Sequence, residues 1–207
     1  MSRTKTPNRI AETALQLFNS FGEPNVATNR IADELDISPG NLHYHFKTKQ
    51  SLVEELFGRY EQRMLELLGN DGFEGADVED AWLFLHLVFE NIANYRFIYR
   101  DLSELCARSR DIRARIRAIL KLSMRTASDL LDGLERSGQL EAARLERESV
   151  VRNIVLVSSY WIAFDQVMEP EVEPRPDRAA IQVMSLVSPY LQGAAREQFE
   201  HLANAYR

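Results

Sequence analysis

The chain has a single cysteine, Cys106, among its 207 residues. One cysteine can form neither an intrachain disulfide nor a cysteine-based zinc site, so the fold has to be held together by its core. Long apolar runs are also absent, since the longest, at residues 82–89, is far below the roughly 18 residues of a membrane span. The basic N-terminus has no apolar segment behind it and is not typical of a signal peptide. These absences predict a cytoplasmic protein without a membrane partner.

Patterns that build catalytic, cofactor or metal sites are equally scarce. Ser158 and Ser159 have no base beside them in the sequence, and no glycine-rich loop is patterned to hold a phosphate. His43 and His45 stand two residues apart, so on a helix they point to different faces, and no cysteine or third histidine is near enough to complete a metal site. The sequence therefore predicts no enzymatic activity, no cofactor and no metal.

The net charge of −6 is unevenly distributed along the chain. Residues 1–50 contain six basic and five acidic side chains, so this segment carries about +1 and the acidic excess belongs to the rest. Binding to phosphate depends on local cations rather than on the average charge. An acidic protein with such an N-terminal segment is compatible with DNA binding.

Residues 28–49 carry the most informative pattern of the chain. Thr28 is placed to cap a short helix with an inward apolar face, and residues 36–38 form a tight turn. Ser38 and Pro39 then open a second helix, with a capping hydroxyl followed by a proline whose missing N–H costs no hydrogen bond at that position. A helix, a tight turn and a second helix are the layout that places a recognition helix in the major groove of DNA.

The second helix of this pattern is short of apolar residues. Only Leu42 and Phe46, four residues apart, can bury a face. Polar or aromatic side chains fill the rest of its surface: Asn41, His43, Tyr44 and His45. An ordinary solvated helix face is the alternative, but nucleic acid is the natural partner for this composition.

Three features of this region carry a family resemblance. They are an amphipathic helix at about residues 7–22, the run Ile-Ala-Asp-Glu-Leu-x-Ile-Ser at 31–38, and the spacing Leu42-x-Tyr44-x-Phe46-x-x-Lys49. Together they resemble the DNA-binding domain of the TetR family of bacterial transcriptional regulators, over about residues 7–65 in all.

Two positions depart from the family pattern. Asp36 stands where glycine is common in the turn, but aspartate tolerates left-handed backbone better than most residues. Gly40 weakens the recognition helix by about 1 kcal/mol relative to alanine. We expect Gly40 to allow a closer approach of the backbone to DNA.

The resemblance implies a role for each polar residue of the region. Tyr44, His45 and Lys49 would hold phosphates, and Thr28 would cap the first helix against the backbone. Asn41 and His43, with the start of the helix, would read base edges. The predicted DNA-binding residues are Thr28, Pro39, Gly40, Asn41, His43, Tyr44, His45 and Lys49.

Apolar periodicity predicts helices along the whole chain and no strand. After the helix-turn-helix, further helices are expected from a Thr48 cap to about Leu68 and at about 78–98, 101–107, 110–136 and 177–206, the last kinked at Pro189. The glycine-rich segment 69–75 is the best domain boundary. The prediction is an all-α protein with an N-terminal helix-turn-helix three-helix domain at 4–65 and a larger C-terminal helical domain at 76–207 for dimerisation and ligand binding.

Residues 153–164 contain no charge and are apolar almost all round. A helix that is apolar on every side must be buried on every side, so one side needs a second partner. Together with the helix at 177–206 it suggests a four-helix bundle across a two-fold axis, and therefore a homodimer. Outward-facing positions of this interface are expected at Val157 and Val187.

Aromatic side chains are concentrated between residues 78 and 168. Helical bundles often build apolar ligand sites between their helices, so this region is the expected place for a small-molecule effector. The predicted pocket residues are Trp82, His86, Phe89, Arg125, Tyr160 and Trp161. A fully packed core without a ligand is the alternative.

The sequence thus predicts a sequence-specific, DNA-binding transcriptional regulator. We expect a homodimeric repressor that binds a palindromic operator of double-stranded DNA and is released by a small-molecule effector. The competing class is a helical protein–protein adaptor that reuses the helix-turn-helix scaffold, and a helical-bundle enzyme is a third. Duplex binding that weakens steeply with salt distinguishes an operator-binding protein from an adaptor.

Overall fold

The computed structural model describes residues 5–69, 73 and 75–206. Eleven α-helices are found there: α1 Lys5–Phe21, α2 Thr28–Glu34, α3 Pro39–His45, α4 Lys49–Leu68, α5 Val78–Asn94, α6 Arg96–Arg100, α7 Leu102–Arg108, α8 Arg110–Arg136, α9 Arg144–Met168, α10 Pro176–Val187 and α11 Gly193–Ala205. Within these residues the β pairing is limited to an isolated bridge between Leu140 and Leu191. The predicted all-α fold is confirmed.

The helices divide into two compact units, each built from two stretches of chain. The first unit comprises Met1–Gln62 and Tyr95–Arg113, and the second comprises Arg63–Asn94 and Ala114–Arg207. The helix-turn-helix therefore shares its unit with α6 and α7, which the sequence pattern assigns to the C-terminal domain. The domain limits 4–65 and 76–207 stay a prediction, and within the predicted boundary at 69–75, residues 70–72 and 74 lie outside the described part.

The helix predicted at 78–98 is interrupted. α5 ends at Asn94, and α6 begins only after Tyr95, whose backbone leaves the helical region at ψ 38°. This interruption falls where the chain passes from the second unit to the first.

The helix α1 lines the core of the first unit with one apolar stripe. Ile10, Ala14 and Phe18 are fully buried, as their four-residue spacing predicts. Phe21, expected on the same stripe, is 47% exposed. The Arg30 guanidinium lies 3.7 Å from the centre of its ring, so a cation covers the ring face instead of the core.

Two buried tyrosines join α4 to α6 inside the first unit. The hydroxyl oxygens of Tyr60 and Tyr99 are 2.5 Å apart and share a hydrogen bond. Burial raises the pKa of Tyr99 to about 12. Burial, reinforced by the neighbouring Tyr99, also raises the pKa of Tyr60 well above its ordinary value.

We expect the free energy of unfolding to fall between about pH 10 and pH 12 because of this pair. In the unfolded chain Tyr99 ionises near its ordinary pKa of about 10, whereas in the folded protein it ionises only near 12. The stabilisation is therefore complete below pH 10 and is lost as the pH rises through this window, by about 3 kcal/mol for Tyr99. Urea unfolding at a series of pH values measures this loss, and Tyr99→Phe should flatten it. Equal slopes in both proteins would contradict the assignment.

The C-terminal segment of the second unit differs from the prediction. Instead of one kinked helix, α10 ends at Val187, a 3₁₀ turn follows at Ser188–Tyr190, and α11 begins at Gly193. Pro189 has no N–H with which to continue the helical hydrogen bonds, so the helix stops rather than bends. Val187, expected to face outward, is only 3% exposed and packs inside its own protomer.

The helix α9 buries one side and exposes the other. Ile154, Trp161 and Ile162 are buried. Leu156, Tyr160 and Phe164, each four residues from the next, are 55%, 48% and 64% exposed. The uncharged segment therefore presents a continuous apolar stripe on the outside of the described protomer.

Candidate DNA-binding interface

The turn between α2 and α3 is fixed by one left-handed residue. Asp36 has φ 53°, a conformation that glycine adopts most readily and aspartate better than other residues. The Ile37 N–H then donates to the Ala32 carbonyl at 3.0 Å and closes the turn. The expectation that Asp36 can replace the glycine of this turn is confirmed.

The helix α3 begins as the sequence predicts. The Ser38 hydroxyl accepts the Asn41 N–H at 3.2 Å, and Pro39 occupies the first helical position. Leu42 is fully buried and anchors the helix, whereas Phe46 ends it and is only half-buried. Leu42 is therefore the one buried side chain of this helix, and most of the helix surface is exposed to solvent.

The exposed surface of α3 carries the predicted base-reading and phosphate-binding side chains. Pro39, Gly40, Asn41 and His43 are exposed, and Tyr44 is 62% exposed. His45 is half-buried, with its ring edge-on to Tyr44 at 5.1 Å between centroids. The exposure of Tyr44 and of the His43 imidazole on a seven-residue helix has no explanation in packing.

Of the two threonines predicted to cap helices at the edges of this surface, only one does so. Thr28 is the first residue of α2 rather than its cap, which is Ala27, and no side chain caps that helix. Thr48 does cap α4, since its hydroxyl accepts the Ser51 N–H at 3.1 Å.

Lys49 lies at the start of α4 with its ammonium directed into the loop between α1 and α2. It donates to the carbonyl oxygens of Glu23 at 2.8 Å and Val26 at 3.1 Å, and its Nζ is 3.2 Å from the Glu23 carboxylate. The Pro24 carbonyl oxygen is a further acceptor at 3.5 Å, so the three hydrogens of the ammonium are already used. A phosphate contact by Lys49 stays a prediction, and it would require one of these bonds to break.

The six residues predicted for an effector pocket do not form one cluster. Trp82 stacks with His86 at 5.1 Å and with Tyr206 at 5.0 Å. Phe89 and Trp161 form a separate edge-to-face pair at 5.6 Å. Arg125 is exposed on α8, and Tyr160 faces outward on α9.

A groove of about 430 Å³ runs between α9 and α10. Apolar and polar side chains line it together: Leu156, Val157, Tyr160, Trp161, Phe164, Asp165, Arg178, Ala179 and Gln182. Burial raises the pKa of Asp165, and Arg178 nearby lowers it in part. Of the predicted pocket residues, Tyr160 and Trp161 lie here.

Comparison with known proteins agrees with this geometry. The family described as "Bacterial regulatory proteins, tetR family" matches residues 10–56, and the family described as "TetR: Bacterial transcriptional repressor" matches residues 59–199. The chain belongs to the TetR family of bacterial transcriptional regulators. This TetR-family regulator therefore matches its family both in the helix-turn-helix and in the helices that follow.

Individual relatives support the same conclusion. A TetR-family transcriptional regulator from Marinobacter aquaeolei is 31% identical, with a TM-score of 0.86 and coverage of 98% of both chains. An HTH-type transcriptional regulator in the dhlA 5′ region of Xanthobacter autotrophicus is 26% identical over 93% of this chain and 79% of its own length. The probable HTH-type regulator YttP of Bacillus subtilis is 27% identical over 49% of this chain and 52% of its own.

Two further features of this TetR-family chain concern membranes and metals. None of its described helices is both long enough and apolar enough to cross a membrane. Across the same described residues, no three histidine, cysteine or acidic side chains are grouped as a metal site.

Proposed function

We propose that the protein is a homodimeric, cytoplasmic repressor that binds a palindromic operator and is released by a small-molecule effector. The observation that carries the DNA-binding part is the exposed polar surface of α3 above the single buried anchor Leu42. A helix held in this way can enter a major groove without losing core contacts.

The exposed residues of α3 divide into two roles in this proposal. Asn41 and His43, with the helix start at Pro39 and Gly40, read base edges, because these residues begin the helix that enters the groove. Tyr44 and His45, with Thr28 at the start of α2, contact phosphates and fix the register of the protein on the duplex.

Selection of bound duplexes from a random library, followed by titration at several salt concentrations, tests this proposal. We expect a palindromic consensus and an affinity that falls steeply with salt, because phosphate contacts release counterions. A helical adaptor would show no such slope and no consensus.

Gly40→Ala is expected to separate stability from recognition. A Cβ at this position would meet only the Ser38 hydroxyl, at 3.9 Å, so alanine fits in the free protein and raises its stability by up to about 1 kcal/mol. If the α3 backbone lies against DNA, the added methyl lowers operator affinity at the same time. Thermal melting and operator titration of the variant measure both effects. Higher stability with unchanged affinity would show that Gly40 does not approach the DNA.

The apolar stripe of α9 supports the homodimer. Leu156, Tyr160 and Phe164 share one face of the helix, and Val167 and Met168 extend it, at 81% and 64% exposure. Contiguous apolar patches on soluble proteins usually mark interaction sites. A second copy related by a two-fold axis would bring the same stripe against itself.

The effector part of the proposal rests on buried donors in the second unit. The Trp161 side chain is 6% exposed, and its Nε1 has no hydrogen-bond partner among the described residues. The Nε1 of Trp82 is likewise an unpartnered donor there, and the Nδ1 of His86, which donates or accepts according to its tautomer, has no partner either. Buried donors favour a ligand or water with an acceptor oxygen, so the expected effector is mainly apolar with one such group.

A panel of small molecules screened by thermal melting tests the effector. A ligand that favours the DNA-free state must also bind more weakly in the presence of operator, by the same factor. An unchanged melting temperature across a broad panel would argue for a repressor without an effector.

A further inference from the structure

A buried carboxylate closes the base of the helix-turn-helix. Glu23 lies in the loop between α1 and α2, and its side chain is only 1% exposed. Its Oε1 is 3.2 Å from the Lys49 ammonium, and its Oε2 accepts a hydrogen bond from the Arg108 guanidinium at 2.7 Å. A buried carboxylate is stable only when it is paired, so both cations are needed to hold Glu23 in this place.

The contact with Lys49 joins the two ends of the motif. Glu23 comes just before α2, and Lys49 is the first residue after the turn that follows α3. A cation at the N-terminus of a helix is opposed by the helix dipole, so α4 itself does not favour lysine there. The ammonium is held instead by the carboxylate and by the loop carbonyls of Glu23 and Val26. The Glu23–Lys49 pair therefore connects the segment before α2 to the first residue of α4.

The end of α6 and the residue between α6 and α7 also hold this part of the first unit. The Arg100 guanidinium donates to the carbonyl oxygens of Phe18 and Asn19 at the end of α1. The Asp101 carboxylate accepts the Glu23 N–H at 3.3 Å. These helices thus hold the end of α1 and the loop that leads into α2.

We propose that Glu23, Lys49 and Arg108, which together form a clasp, are positioning residues for operator recognition, an inference that rests on the proposed DNA-binding role of α3. Arg108 holds the Glu23 carboxylate, and Glu23 with Lys49 fixes where α2 and α3 stand. Loss of Arg108 leaves the buried carboxylate with one cation, and the loop relaxes to compensate. The recognition helix then presents its side chains in a changed orientation, although none of the three residues needs to touch a base.

The central experiment replaces Arg108 in the full-length protein. We expect Arg108→Gln to weaken operator binding about tenfold but binding to a random duplex by about twofold or less, because orientation matters most for base contacts. The salt slope should stay unchanged, since no phosphate contact is removed. Arg108→Lys keeps the cation and should recover most of the affinity.

Arg110 provides a matched control. It is exposed on α8, two residues further along the chain, and carries the same charge. Arg110→Gln should change operator affinity by about twofold or less. An equal loss in both arginine variants would mean that general charge, not the clasp, is responsible, and would overturn the proposal.

A double-mutant comparison tests the connection to Glu23. If Arg108 acts through Glu23, adding Arg108→Gln to Glu23→Gln should cost no further affinity. Should Glu23→Gln fail to fold, the comparison of Arg108→Gln with Arg108→Lys decides, because the Arg108 side chain is 39% exposed. A lower melting temperature with unchanged operator affinity well below that temperature would show that the clasp only stabilises the fold, and would overturn the proposal.

Lys49→Gln separates clasp from phosphate contact. An unchanged salt slope supports the clasp, whereas a slope lower by about one unit would assign Lys49 to a phosphate and remove it from the proposal. Absence of any salt-dependent duplex binding by the wild-type protein would instead defeat the proposed function. Wild-type binding that the clasp variants share unchanged would defeat only this inference.

Discussion

Leu156→Glu is expected to convert the proposed dimer into monomers and to weaken operator binding by about 100-fold or more. Leu156 is 55% exposed on the apolar stripe of α9, so the substitution leaves the protomer core intact. In a two-fold interface the new carboxylate would lie near the same carboxylate of the second protomer, and each protomer would bury an unpaired charge. A monomer contacts one half-site only, which explains the large loss on a palindrome. Sedimentation velocity and operator titration measure the two effects.

The chain offers a closely matched control for this variant. Leu83 is 52% exposed and lies on a different helix, α5, so Leu83→Glu makes the same change at nearly the same exposure outside the apolar stripe of α9. We expect it to remain dimeric and to bind the operator normally. A wild-type protein that sediments as a monomer at micromolar concentration would refute the interface, as would monomerisation by both variants alike.

The second large effect is expected on the recognition helix. His43→Ala should cost about 1–3 kcal/mol on the selected operator and much less on random duplexes, because a base contact carries sequence information. His43 is exposed on α3, so little stability should be lost. Titration of both duplexes gives the discrimination directly. His201→Ala, at an exposed histidine of α11, is the control and should leave both affinities unchanged.

Similar losses on operator and random DNA would reassign His43 to the phosphate backbone. The most informative comparison is then Tyr44→Ala. Tyr44 is assigned to phosphate, so this substitution should weaken binding to all duplexes alike. Opposite behaviour of the two variants would reverse their roles while leaving α3 as the recognition helix.

Local chemistry explains which parts of the fold could be predicted from the sequence. Ser38 and Thr48 cap helices through bonds to residues three positions away, so the signal lies within one turn. The left-handed Asp36 is likewise set by its own side chain and its neighbours. For such positions a short window of sequence contains the whole physical cause.

The errors arise where a distant residue decides the outcome. Phe21 has the spacing of a core residue, but Arg30 covers its ring instead. Val187 is an apolar residue in a segment expected to form the dimer interface, but it packs within its own protomer. Periodicity shows that a side chain needs cover without showing what supplies it.

In the candidate site, too, the local features could be predicted from the sequence and the contacts between distant residues could not. The recognition surface of α3 is readable from seven consecutive residues and from the family resemblance. Glu23 and Arg108 are 85 positions apart, and nothing near either residue in the sequence signals the other. A buried ion pair between distant segments leaves no periodic trace, so only the structure reveals it.

The two-stretch composition of the first unit has a consequence for protein engineering. A chimera that joins this helix-turn-helix to another regulator at a single point after α4 would separate it from α6 and α7. The carbonyls at the end of α1 would lose Arg100, and Glu23 would lose Arg108. The portable module is therefore discontinuous: a graft has to carry residues 95–113 together with the N-terminal helices, or rebuild the complementary charges in the recipient.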